Sequence, residues 1–225
     1  MALLIAFAAS LGLVSSAAPS VQLLSTEGRN FYRLAVADSD RIFGATADGR
    51  LSCMRLSTDT GSRSSLKTLW DADLQGSFSF SLTVADIDDD RSLEVLVGGA
   101  DGVVRGFRAS DGVPLFVAQL QHAVYALAVV AQPPGGALNG SKVFAGTSNG
   151  TLAWLDGVSG EIHGLWRYER SAIRTLVAGR FQADAEGQQL FVVHASSDSD
   201  IFYQALRLEA HSVQSSQSCP RPAQK

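Results

Sequence analysis

The sequence predicts an all-β chain made of about four repeats of a four-stranded unit, on three observations. First, the turn glycines Gly49, Gly102 and Gly150 follow Asp48, Asp101 and Asn149 at intervals of 53 and 48 residues. Second, each pair sits between short alternating apolar runs. That is a hairpin signal, and Asp-Gly or Asn-Gly in it predicts a type I′ turn with positive φ at both central residues. Third, no amphipathic helical period is found between residues 30 and 210.

Taken in order, residues 1–20 (MALLIAFAASLGLVSSAAPS) carry an apolar run from Leu3 to Val14, followed by small residues. The run is too short to span a bilayer, which needs about 20 residues, and has the length of a signal-peptide core. A buried strand or helix is the alternative. The first unit covers residues 31–75: a strand at Phe31–Val36, a hairpin from Arg41 through Gly49, and a closing strand ending at Leu69-Trp70. The second, 76–120, repeats this with Phe78–Val84, Leu93–Gly102 and Leu115-Phe116. The third, 121–168, has Ala123–Val130, Lys142–Gly150 and Leu165-Trp166. A weaker fourth, 169–212, has Ile173–Val177, Leu190–Asp198 and Ile201–Leu206. Residues 213–225 are mostly Ser, Gln and Pro and read as a disordered tail.

Four strands per unit of about 50 residues is the signature of a β-propeller blade. Propellers have four to eight blades, and four units use nearly all of this chain. The fold is therefore either a small closed ring or an incomplete one, whose exposed edges invite pairing with another chain. Trp70, Phe116 and Trp166 recur at one repeat position. They are expected to pack between blades, a cofactor-stacking Trp being the alternative.

Composition narrows the function. The 225 residues are 46% apolar and 18% charged, with a formal charge of −4. Lys and Arg are scattered, and nucleic-acid binding requires a basic stripe. Cys53 and Cys219 make neither a disulfide scaffold nor a zinc site of the usual spacing. With the leader, the reading is a secreted or endomembrane protein with no stable membrane span.

One loop carries metal-site chemistry: Val84-Ala-Asp86-Ile-Asp88-Asp89-Asp90-Arg91-Ser-Leu-Glu94-Val-Leu-Val-Gly98. Asp86, Asp88, Asp90 and Glu94 occupy positions 1, 3, 5 and 9, and alternate carboxylates on a tight loop supply the hard oxygens Ca²⁺ prefers. Arg91 stands where a calcium loop has glycine, and its guanidinium is the competing counter-ion for the aspartates. The stretch resembles the repeat of the FG-GAP/VCBS, integrin-α-like propeller family. That resemblance implies a calcium-stabilised propeller that binds proteins and catalyses nothing. The run Ala153-Trp-Leu-Asp156-Gly-Val-Ser-Gly160-Glu-Ile-His-Gly-Leu-Trp166 resembles the PQQ-type repeat, which implies a quinoprotein-related enzyme or an assembly factor.

The remaining motifs are weaker. Gly146-Thr147-Ser148-Asn149-Gly150 matches the elbow of serine hydrolases in letters, but no helix follows, so a hairpin is expected. His122, His163, His194 and His211 lack metalloenzyme spacing and are expected at the surface or in turns. Asn139 and Asn149 head glycosylation sequons. Tyr125 and Tyr168 are candidates for stacking sugars, should the propeller bind glycans. The leading expectation is a non-catalytic scaffold with a protein partner at a loop face or an open blade edge, carrying Ca²⁺.

Overall fold

A computed structural model of the chain describes residues 4–6, 22–24, 29–38, 40–58, 64–131, 141–168, 171–181, 188–196, 201–208 and 213–218. A short antiparallel pair, β1 (Leu4–Ala6) and β2 (Gln22–Leu24), precedes four four-stranded antiparallel sheets. Blade one is β3 (Phe31–Val36), β4 (Arg41–Thr46), β5 (Arg50–Thr58) and β6 (Ser64–Asp73). Blade two is β7 (Ser79–Ala85), β8 (Glu94–Gly99), β9 (Val103–Arg108) and β10 (Pro114–Gln119). Blade three is β11 (Val124–Val130), β12 (Lys142–Thr147), β13 (Thr151–Asp156) and β14 (Ile162–Arg167). Blade four is β15 (Ser171–Gly179), β16 (Gln189–Ser196), β17 (Ile201–Leu208) and β18 (Val213–Ser218).

The fold is an all-β propeller of four blades. Within each blade the strands pair in chain order. First strands pack on first strands, β3 on β7, β7 on β11 and β11 on β15, and so form the inner wall. The second strands of the two inner blades, β8 and β12, are covered on both faces. All six residues of β8 and of β12 are buried, which is why they read as continuous apolar and small residues rather than alternating. Adjacent side chains then serve different seams. Val95 and Val97 meet Phe43, Leu51 and Cys53 of blade one. Leu96 and Val104 meet Val143, Ala145 and Leu155 of blade three. Phe144 and Leu152 meet Ile173, Leu190 and Val192 of blade four.

The signal-peptide reading covers residues 1–20, of which only Leu4–Ala6 is described, as the partner of Gln22–Leu24. Of the expected tail, residues 219–225 lie outside the described residues, whereas 213–218 are a strand. Val213–Ser218 pairs with β17 and supplies the outer strand of blade four. An outermost strand needs backbone partners on one side only, so a Ser/Gln-rich sequence serves.

The hairpin turns are also corrected. Gly49, Gly102 and Gly150 have φ of 84°, 78° and 85°, but Asp48, Asp101 and Asn149 are not left-handed. The loops are three residues long and close on a left-handed glycine rather than forming type I′ turns. The chain leaving each blade crosses over that glycine. The N–H groups of Leu74, Leu120 and Tyr168 donate to the carbonyls of Gly49, Gly102 and Gly150 at 2.7–2.8 Å. A Cβ at Gly102 would lie 2.8 Å from the His122 nitrogen.

At the other end of the strands, a rim aromatic locks onto the next blade. The Trp70 indole donates to the Ala109 carbonyl (3.1 Å), and a Cβ at Gly112 would come within 2.6 Å of its ring. Phe116 covers Gly160 of blade three in the same way. Trp166 does not share the position. Trp70 and Phe116 oppose the fourth residues of β5 and β9, whereas Trp166 opposes Leu152, the second of β13. Its ring packs instead against Gly164 and the seam of blades three and four.

The arc is open. Among the described residues, β15 shows no packing on β3 comparable to that between consecutive blades. Leu34 and Val36 on β3 are 40% and 71% exposed, and Val177 and Ile201 on blade four are 44% and 69% exposed.

Two substitutions separate backbone conformation from close approach. Gly76 has φ +71° but open space around it, so Gly76→Ala is expected to cost about 1–2 kcal/mol, the left-handed penalty alone. Gly102→Ala adds a clash with backbone and is expected to cost at least about twice as much by chemical denaturation. Phe116→Ala is expected to cost about 3–5 kcal/mol.

Candidate functional site

The acidic loop joins β7 to β8 and is fastened to the next blade. Ile87, 1% exposed, is buried in the core between blades two and three. Its carbonyl accepts from the Ser141 N–H (2.8 Å), and the Ser141 carbonyl accepts from Gly157 (3.1 Å). The Ser141 hydroxyl donates to the Asp86 carbonyl (3.3 Å). With Ile87 turned inward, the carboxylates on either side of it turn together.

Asp86, Asp88 and Glu94 converge, each offering an oxygen within 4.8 Å of the others. The Asp86 Oδ2 accepts from the Arg91 N–H (2.9 Å), while its Oδ1 is buried with no hydrogen-bond partner among the described residues. The Asp88 Oδ1 accepts from the Asp90 N–H (3.2 Å). Glu94 is 2% exposed, and its Oε2 accepts from the Ile87 N–H (3.0 Å). It opens β8, where the other blades place Arg41, Lys142 and Gln189. Burial, reinforced by the negative charges of Asp88, Asp90 and Asp86, pushes its carboxyl up to about 7. Burial also raises Asp88, with Asp90 and Asp86 adding to the effect.

Two expected members of the loop behave differently. Asp90 lies outside the three-carboxylate cluster. It is exposed and accepts from the Ser92 N–H (2.6 Å), which holds it below its usual range. Arg91 adopts the left-handed conformation, φ 69°, that glycine would adopt more cheaply, and so does Asp89 at 62°. No ion pair joins the Arg91 guanidinium to a carboxylate among the described residues.

The carboxylates fit a calcium ion. Two oxygens bound to one Ca²⁺ at 2.3–2.6 Å lie at most about 5 Å apart, which the cluster meets, and the buried Asp86 Oδ1 is an oxygen that a cation or a donor would satisfy.

Other sequence candidates fall elsewhere. Ser148 lies in the hairpin between β12 and β13, a strand–turn–strand and not a nucleophile elbow. Asn149 uses its side-chain Oδ1 to accept from Thr151 N–H (3.2 Å) in the same turn. Asn139 and His211 lie outside the described residues. His122 and His163 are exposed, but His194 is a half-buried strand residue between Tyr168 and Phe202, and burial lowers its pKa. Tyr168 is committed to that packing, with burial pushing its hydroxyl up to about 12. No helix among the described residues is long and apolar enough to cross a membrane.

No protein-family model matches the chain, and no curated protein matches it. Solved structures do, at the level of fold. A chain of the mitotic checkpoint complex aligns with a TM-score of 0.62 at 13% identity, over 85% of this chain and 52% of that one. BamB from Moraxella catarrhalis aligns at 0.56 and 16%, over 96% and 52%. BBS1N, solved in complex with ARL6DN, aligns at 0.55 and 17%, over 77% and 46%. The chain thus spans about half the length of these structures. They are β-propellers, which supports a propeller repeat and does not single out the FG-GAP/VCBS lineage.

Without added cation, Glu94 sets a pH trend. Its folded pKa is raised, so its contribution is complete below about pH 4.5 and lost as pH rises through 7. His194, whose neutral form is favoured, acts oppositely as pH falls below 6.5. Asp38, held low by its hydrogen bond to Arg41, acts only in acid. Subtracting one melting profile from the other isolates Glu94: Glu94→Gln is expected to gain stability over wild type between pH 5 and 8 in chelator.

Proposed function

We propose that the chain is a non-catalytic protein-binding or scaffold module, an FG-GAP-like propeller arc steadied by Ca²⁺ in its acidic loop. The open end of blade four carries the binding part of this reading. Leu190, Val192 and Leu206 face blade three, so their alternates Phe191, Val193 and Ile201 face away from it. Val177 pairs with Phe191 on that side, and the Phe181 ring lies tilted against Phe191 at 5.8 Å. A row of this kind is the surface that each inner blade buries against its neighbour. Exposed apolar patches on soluble proteins mark interaction sites. The relatives in fold include proteins solved within assemblies, a supporting analogy and no more.

In the loop, Asp86, Asp88 and Glu94 would hold the cation, with backbone and water oxygens completing six to eight ligands. The cation would replace the proton on Glu94 and steady the loop that fastens blade two to blade three. Secretion, and with it glycosylation at Asn139 and Asn149, belongs to the same proposal, because extracellular modules bind Ca²⁺ in the 10⁻⁴–10⁻³ M range.

Two measurements test it. Titration with Ca²⁺ is expected to raise the melting temperature saturably, by several degrees. Asp88→Ala and Glu94→Gln should abolish the rise, while Asp90→Ala, outside the cluster, should retain it; a flat response of wild type to millimolar Ca²⁺ refutes the metal. For the open end, light scattering against concentration is expected to show association that Val177→Lys with Ile201→Lys removes without lowering the melting temperature. A strictly monomeric wild type contradicts a sticky blade end.

A further inference from the structure

A second surface lies on the inner wall, distinct from the open blade end. Each innermost strand carries a β-bulge near its start: between Phe31 and Arg33, Ser79 and Ser81, Val124 and Ala126, and Ile173 and Thr175. The extra residues are Tyr32, Phe80, Tyr125 and Arg174. A bulge leaves one residue out of the pleat and re-aims its side chain, and bulges gather beside functional sites. Here the four inserted side chains join into one strip across four blades. Tyr32 meets Phe78 edge-on at 4.4 Å, Phe78 meets Phe80 at 5.1 Å, and Phe80 meets Tyr125 at 4.8 Å. A guanidinium covers each end, Arg33 over the Tyr32 ring at 4.7 Å and Arg174 over the Tyr125 ring at 5.1 Å.

The arginines decide the ligand chemistry. Both are exposed, and neither forms an ion pair among the described residues. Arg33 donates Nε to the Phe80 carbonyl (2.6 Å) and Nη1 to the Tyr32 carbonyl (3.2 Å), which orients its guanidinium and leaves Nη2 for a ligand. On a chain of net charge −4, two fixed cations at the ends of an aromatic strip are complementary to a ligand with two separated carboxylates and an apolar or aromatic middle. A nucleic-acid strand would need more phosphate contacts than two arginines provide. We propose that the inner wall binds an extended acidic peptide, its carboxylates on Arg33 and Arg174 and its apolar side chains on Tyr32, Phe78, Phe80 and Tyr125.

The test is selection of a phage-displayed library of random twelve-residue peptides on the full chain. Enriched sequences are expected to carry Asp or Glu at two separated positions flanking aromatic or aliphatic residues. For the most enriched peptide, synthesised with a fluorophore, Arg33→Ala and Arg174→Ala should each weaken binding about tenfold, and added salt should weaken it further. Arg→Lys at either site should not restore it, because Lys lacks the planar fork. Arg55→Ala, which removes an equal charge beside Asp40, should leave binding intact, and unchanged melting temperatures show that the variants fold. Enrichment without acidic bias, no enrichment, or indifference to both arginine substitutions overturns the proposal. Preferential binding to acidic oligosaccharides on a glycan array overturns it in favour of a sugar ligand. None of these outcomes depends on whether the blade-four end self-associates.

Discussion

A four-stranded blade has two apolar faces, and one neighbour covers only one of them. The rest of the structure follows from that constraint. The second strands of the two inner blades become fully buried because a blade stands on either side, and consecutive residues such as Val95 and Leu96 are divided between two seams. The seams are held by recurring devices at both ends of the strands: outgoing chain crossing the turn glycine at one, and Trp70 or Phe116 pressed on a glycine of the next blade at the other. At the two ends of the described arc, apolar residues that inner blades bury stand exposed on β3 and blade four.

The acidic loop belongs to the same scheme. Ile87 and Ser141 stitch blade two to blade three, and the carboxylates are drawn together because the loop must turn Ile87 inward. Glu94 is buried by its place at the head of a two-sided strand, a position where Arg41, Lys142 and Gln189 stand in the other blades. A buried carboxyl among acidic neighbours is costly as an anion. A proton or a divalent cation relieves it, which couples the chemistry of the loop to the packing of the seam.

Much of this was legible in the sequence because repeats restate themselves. The Gly49, Gly102 and Gly150 spacing set the blade length, and Trp70 and Phe116 announced the rim lock. Asp86, Asp88 and Glu94 were readable from their alternation, but whether Asp90 joins them depends on left-handed turns at Asp89 and Arg91 that no propensity forecasts. The strand at Val213–Ser218 escaped because backbone pairing, not apolar pattern, defines it. The inner strip was out of reach. Tyr32, Phe80, Tyr125 and Arg174 lie far apart in sequence, and only bulges, which leave no mark in a period-2 pattern, bring them together.

An open arc leaves one face of blade four uncovered, and thiol labelling tests that directly. Cys53 is a quiet background, fully buried with its thiol pushed up to about 11 by burial, and Cys219 can be replaced by Ser. At dilutions where the chain is monomeric, cysteines placed at Val177 and Ile201 should react with a maleimide at the rate of an exposed thiol. Cysteines placed at Val97 and Val192, which face neighbouring blades, should react only on unfolding. Protection of Val177→Cys and Ile201→Cys in the monomer would mean that blade four is covered by its own chain, and the open arc would be wrong.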